Sequence, residues 1–179
     1  MKMRVLGPLL VALGTAASGA ARADGDFQPV RGTVSYVMEF AAGKERTTAA
    51  FGPLSEAKWS PGFEPRFAYP RPAAQVAGAV FTTPDGAFWL LHDFDPAAGL
   101  VQYVVLEPGA LAVTLTIRVE AAAGRSSATL TYDMVALDAA GAAHVDEVRR
   151  HSKAMAAHMQ SAVGAFLAGG SDDGGALEH

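Results

Sequence analysis

The chain contains no cysteine, so its fold is built without disulfide staples, even if it is exported to an oxidising compartment. The same absence excludes a lipid-bearing cysteine at a leader cleavage site. Charge is scarce, at 18% of residues, and the 14 Lys and Arg are outnumbered by 18 Asp and Glu with no basic run. Nucleic-acid binding would need clustered cations to neutralise phosphates, so that class is a poor fit. No run of about 20 apolar residues exists, which argues against a transmembrane helix. Absent too are a G-x-S-x-G elbow, a phosphate loop and a dinucleotide fingerprint, and no repeat of 20 to 50 residues is visible. No cofactor and no metal site are expected.

What remains is a chain of 179 residues that is 50% hydrophobic, enough for one domain with a substantial core. Its start reads as something else. Lys2 and Arg4 precede an apolar run from Val5 to Ala17 that ends in Ala21-Arg22-Ala23, the pattern of a secretory signal peptide. Cleavage is expected after Ala23, leaving a mature chain with a formal charge of −7 whose domain runs over 24–168. A Gly- and Asp-rich tail over 169–179 follows; whether Leu177-Glu178-His179 is native or a tag remnant stays open. The expected location is periplasmic or secreted.

Along the domain, period-2 alternation dominates. Thr33 to Phe40 places Val34, Tyr36, Met38 and Phe40 on one face, and Ala41 to Lys58 reads as one or two short helical turns. Four prolines between Trp59 and Pro72 restrict that stretch to an edge strand or an ordered loop. Apolar runs follow over Gln75–Thr82, Ala87–Phe94, Leu100–Leu106, Ala110–Glu120 and Ser127–Leu137, joined by short Gly- and Pro-bearing turns, which is a meander of hairpins. From about Ala142 to Ala168, Val145, Val148, Ser152, Met155, Met159, Ala162 and Phe166 recur at spacings of three and four, the stripe of a helix laid on a sheet. The sum is an α+β layer architecture.

Pro53 with Glu56, Trp59, Pro61-Gly62, Pro65, Tyr69-Pro70, Gly78 with Val80-Phe81, Trp89, Asp95-Pro96, Tyr103-Val104, Pro108-Gly109, Thr131-Tyr132 and Ala136-Leu137 together resemble the SRPBCC superfamily, in its polyketide cyclase/dehydrase-like branch. The resemblance runs from about Thr33 to Leu167. It implies a START- and Bet v-like helix-grip fold, in which a curved seven-stranded antiparallel sheet wraps around a long C-terminal helix and encloses an apolar cavity. The family includes lipid and steroid carriers, aromatic cyclases and cochaperone-like modules, and it has no shared catalytic residue. A leader peptide departs from much of the family and points away from polyketide synthesis in the cytoplasm.

Extended to such a cavity, the alternation nominates Tyr36, Met38, Phe40, Phe88, Phe94, Tyr103, Tyr132 and Met134 from the sheet, with Met155, Met159 and Phe166 from the helix, as ligand-binding side chains. The tyrosine hydroxyls suit a ligand carbonyl or hydroxyl, although tyrosines also simply fill cores. His92 is the weak catalytic candidate: with Asp93 and Asp95 turned to solvent, period 2 sends Leu90, His92 and Phe94 inward, where an imidazole can act as acid or base. No inward acidic partner orients it. His144, His151 and His158, spaced by seven, read as helix-boundary residues too far apart for one metal ion, with Glu147 placed to pair with His151. Glu39 and Asp133 fall outside, which dismisses a paired-carboxylate site with Glu56.

The expected function is binding of a small hydrophobic or amphipathic molecule such as a lipid, a fatty acid or an aromatic compound. Two alternatives stand beside it: a cyclase or dehydratase using His92 with Tyr132 or Tyr103, and an interaction module whose Trp59 to Tyr69 loop docks a protein while its own side chains fill the core.

Overall fold

The computed structural model describes residues 27–169; the expected signal peptide with its cleavage site, and the tail beyond 169, lie outside them. Alternation over Val30–Phe40 becomes β1, two short helices follow as α1 (Lys44–Ala50) and α2 (Pro53–Trp59), and the meander comprises β2 (Arg66–Tyr69), β3 (Ala79–Thr82), β4 (Phe88–Asp95), β5 (Leu100–Glu107), β6 (Leu111–Ala122) and β7 (Arg125–Ala136). The chain closes with α3 (Ala139–Gly169). The seven strands form one antiparallel sheet in the order β1-β7-β6-β5-β4-β3-β2. Hairpins account for every neighbour except one: β1 pairs with β7 over its full length, from Val30 opposite Ala136 to Phe40 opposite Ser126. The link from β1 to β2 must therefore cross the sheet, and α1 and α2 are what it carries there.

One expectation shifts and one is met. The apolar run from Gln75 becomes strand only at Ala79, and the Pro-rich stretch is loop except for β2, which forms the sheet edge that the prolines require. Its aromatic residues are not spread for docking. Trp59 and Phe63 are buried, Phe67 is packed against the core, and only Tyr69 is fully outside.

The inner face of the sheet is apolar along every long strand; on β6 alone Leu111, Val113, Leu115, Ile117 and Val119 are all buried. Over β3, β4 and β5 the inner face is aromatic, with Phe81 stacked on Trp89 at 5.7 Å between ring centroids and Tyr103 edge-on to Trp89 at 5.5 Å. Such edge-to-face packing adds about 0.5–1.5 kcal/mol per pair beyond burial.

α3 lies along β1 and β7 and is held at both ends. At its start Asp138 Oδ1 accepts from the Gly141 N–H at 2.7 Å, satisfying an orphan amide of the first turn. Gly141 is needed there because a Cβ would collide with the Ala110 carbonyl oxygen, and Gly32 of β1 makes room in the same way for Val145. At its end the Leu167 carbonyl accepts from Arg46 Nη2 at 2.6 Å. The middle is different. Gly141, His144, Val145 and Val148 are buried, then Met159, Val163 and Leu167, and between Val148 and Met159 only Ser152, Met155 and Ala156 are even half-buried. Three turns of helix thus close the sheet with little apolar contact.

Candidate functional site

Beneath that lightly packed stretch lies a cavity of about 20 Å³ lined by, among others, Trp89, Leu115, Tyr132, Met134, His144 and Met155. A space of this size holds about one water molecule. Its wall is apolar save for a phenol and an imidazole. Trp89 is fixed by its own polar atom, Nε1 donating to Thr83 Oγ1 at 3.1 Å. His144 is 4% exposed and its Nδ1 has no hydrogen-bond partner. Burial lowers its pKa from the ordinary 6.5, against a smaller upward pull from Glu147, so the ring is kept neutral. A neutral imidazole with an unpartnered nitrogen can orient a polar atom of a guest.

Further polar groups of the interior come from four elements. Tyr36 of β1 donates to the Tyr132 hydroxyl of β7 at 3.3 Å, and Tyr103 of β5 donates to the Phe51 carbonyl at 2.8 Å. From α2 comes Glu56, 1% exposed, with an unpartnered Oε1. Desolvation raises its pKa well above the usual carboxylate range, which favours the neutral carboxyl. The phenols respond in kind: burial pushes Tyr36 up to about 12 and also raises Tyr103 and Tyr132 well above the usual phenol value, with ionisation of Glu56 adding a smaller upward pull on each. All three stay protonated.

No protein-family model and no curated protein sequence matches the chain. Solved structures do. An aromatase/cyclase from Streptomyces sp. R1128 superposes with a TM-score of 0.59 at 16% identity, over 83% of this chain and 100% of the other. Ara h 8.0201 gives 0.59 at 13% identity over 78% and 99%, and norcoclaurine synthase from Thalictrum flavum 0.57 at 13% over 87% and 97%. The chain has the helix-grip fold that these structures share. In this helix-grip protein the grip is the curved sheet, and the gripped rod is α3.

Within that frame the sequence-based nominees separate. Met38, Phe40, Tyr103, Tyr132, Met134 and Met159 are buried on the inner side, with Tyr36, Phe94, Met155 and Phe166 half-buried against the same core. Of these, Tyr132, Met134 and Met155 border the described cavity. Phe88 and His92 do not belong to the interior. Phe88 is 52% exposed, and His92 is exposed. The reason is local: β4 turns Ala87, Trp89 and Leu91 inward, and a bulge between Leu91 and Asp93 makes His92 the extra residue facing solvent. A proton-transfer role for His92 inside the fold is thereby overturned. The histidine of the interior is His144, expected at the helix boundary. His151 keeps its boundary position, with Nδ1 3.0 Å from the Glu147 carbonyl oxygen rather than from its carboxylate. Glu56 was legible only as part of a dismissed pair. Its signal was Trp59 one turn later on the same face of a Pro-initiated helix.

No group of His, Asp and Glu among the described residues is arranged to hold a metal ion, and no helix among them is long and apolar enough to cross a membrane.

Proposed function

We propose that the protein binds a small, mainly apolar molecule between the inner face of the sheet and α3. The observation that carries the reading is the cavity under the middle of α3, apolar on nearly all sides and edged by the unpartnered Nδ1 of His144. An apolar wall supplies affinity and one or two unsatisfied polar atoms supply orientation. Because the cavity in this conformation has room for about one water, a guest enters only if α3 lifts between its two anchors, and the stretch from Val148 to Met159 is where the fewest contacts resist that. Met155, unbranched and adaptable, then repacks against guests of different outline. Likeness in fold supports the reading, since the structures sharing it include norcoclaurine synthase in complex with dopamine and hydroxybenzaldehyde.

Mass spectrometry of an organic extract of the purified protein tests it, together with binding of added 2-phenylethanol. A copurified hydrophobic species, or saturable binding that Met155→Trp blocks by filling the cavity, is the expected result; neither ligand nor probe binding refutes it. We further propose that the domain acts after export, in a periplasm or outside the cell, as the leader-like start of the chain supports. N-terminal sequencing of the protein from its producing cells should begin at Asp24, and an intact Met1 would contradict this.

A further inference from the structure

Glu56 is the only acidic side chain buried among the described residues. α2 turns Pro53, Glu56 and Trp59 inward, and one oxygen of the carboxyl is left unanswered there: Oε1 is buried with no hydrogen-bond partner. Burial is what governs it, with no charged neighbour adding to that effect or offsetting it. The titratable groups that feel its charge are Tyr36 from β1, Tyr103 from β5 and Tyr132 from β7. The hydroxyl of Tyr103 is spent on Phe51 O and that of Tyr36 on Tyr132. An unpaired buried carboxyl is destabilising, so its presence calls for a reason.

A site that needed only hydrogen bonds would be served by glutamine, which has the same shape and no charge to suppress. What a carboxyl adds is a proton it can release, becoming the counter-ion of a cation. Its surroundings suit one. Trp59, one turn from Glu56 on α2, meets Phe51, the residue that caps α1, edge to face at 6.2 Å, and the Tyr103 phenol reaches the Phe51 carbonyl; the faces of such rings attract cations. No Lys or Arg side chain is buried among the described residues, and His144 across the interior is held neutral, so no positive charge opposes another.

We propose that Glu56 is the counter-ion for a small organic amine whose apolar body occupies the space beside Tyr132 and Met155 and whose ammonium group is held among the phenol rings. This rests on the cavity reading above and adds the chemistry of the guest's head group. No covalent bond forms or breaks except the carboxyl O–H: the ammonium arrives charged, Glu56 gives its proton to solvent, and the buried pair is neutral overall.

Calorimetric titration of the whole protein with phenethylamine and with its neutral counterpart 2-phenylethanol, at pH 6, 7 and 8, tests it. The amine should bind more tightly than the alcohol, with an affinity rising by up to about tenfold per pH unit and about one proton released per site, read from buffers of different ionisation enthalpy. The alcohol should show no pH dependence. In Glu56→Gln, shown folded by circular dichroism, the amine's advantage and its slope should vanish while the alcohol binds as before. Amine and alcohol binding alike in the wild type, or Glu56→Gln keeping the amine's advantage, overturns the proposal and leaves the cavity reading intact. Binding of neither probe overturns both.

Discussion

The two faces of the sheet treat polar groups in opposite ways. On the outer face they are paired across strands: Thr33 donates to Asp133 at 2.7 Å, Ser35 shares a hydrogen with Thr131 at 3.0 Å, and Gln102 donates to Thr116 at 3.0 Å. In the interior, where an unpaired group is far more costly, Glu56 Oε1 and His144 Nδ1 have no partner, and neither has Oε1 of the half-buried Glu107 at the end of β5. A fold optimised only for stability would reverse this. The contrast makes the outer polar groups parts of the scaffold and leaves the inner ones free to meet the guest proposed above.

Mutations on the two faces should therefore differ in size and in sign. Leu115→Ala, at a buried position of β6 on the cavity wall, should cost about 2–5 kcal/mol in chemical denaturation, as removal of buried methyl groups does. A loss below about 1 kcal/mol would mean that the wall is loosely packed there.

Glu56→Gln should move the other way. The folded protein keeps this carboxyl protonated at pH values where the unfolded chain, with a pKa near 4.5, has ionised. The native state then binds more protons, so wild-type stability falls as pH rises above about 4.5. Glu56→Gln removes that fall and should stabilise the protein at pH 7, with the gain shrinking towards pH 4.5, as chemical denaturation at the two pH values would show. A variant less stable than wild type at pH 7 would show that the carboxyl has a partner after all.

His144 has the opposite sign on the acid side. Its folded pKa is lowered from 6.5, so the unfolded chain takes up the proton first and stability is lost as pH falls below about 6.5. His144→Leu should flatten that limb, with melting temperatures at pH 7.5 and 5.5 as the readout. The smallest effect is expected outside: Thr33→Val on the exposed face should stay within about 0.5 kcal/mol at any pH. An equally small effect for Glu56→Gln would erase the contrast.

How far these features could be read beforehand follows from the period of each element. Long strands announce themselves, because Val34, Met38 and Phe40 on β1, or Leu111 to Val119 on β6, alternate without interruption and a one-residue slip would expose them all. The stripe of α3 was visible for the same kind of reason. β4 broke the rule, since a bulge costs one residue of parity and nothing in Leu90-Leu91-His92-Asp93 marks it; Trp89, too large to turn outward readily, was the clue to the true phase. α2, at seven residues, is too short for periodicity to establish which face is buried, so Glu56 stayed hidden. His144 was misplaced because the first turns of α3 are sunk against the Ala110 carbonyl, bringing its flank inward as well.

The claim that a guest is held between sheet and rod is tested most directly by methyl NMR during titration with 2-phenylethanol. Saturable shifts confined to Val105, Leu115, Met134, Val148 and Met155, with the outer-face methyls of Thr33, Thr114 and Leu106 unmoved, are predicted. Shifts centred on Leu106 and its exposed neighbour Phe88, or no saturable shift at the inner methyls, would contradict it.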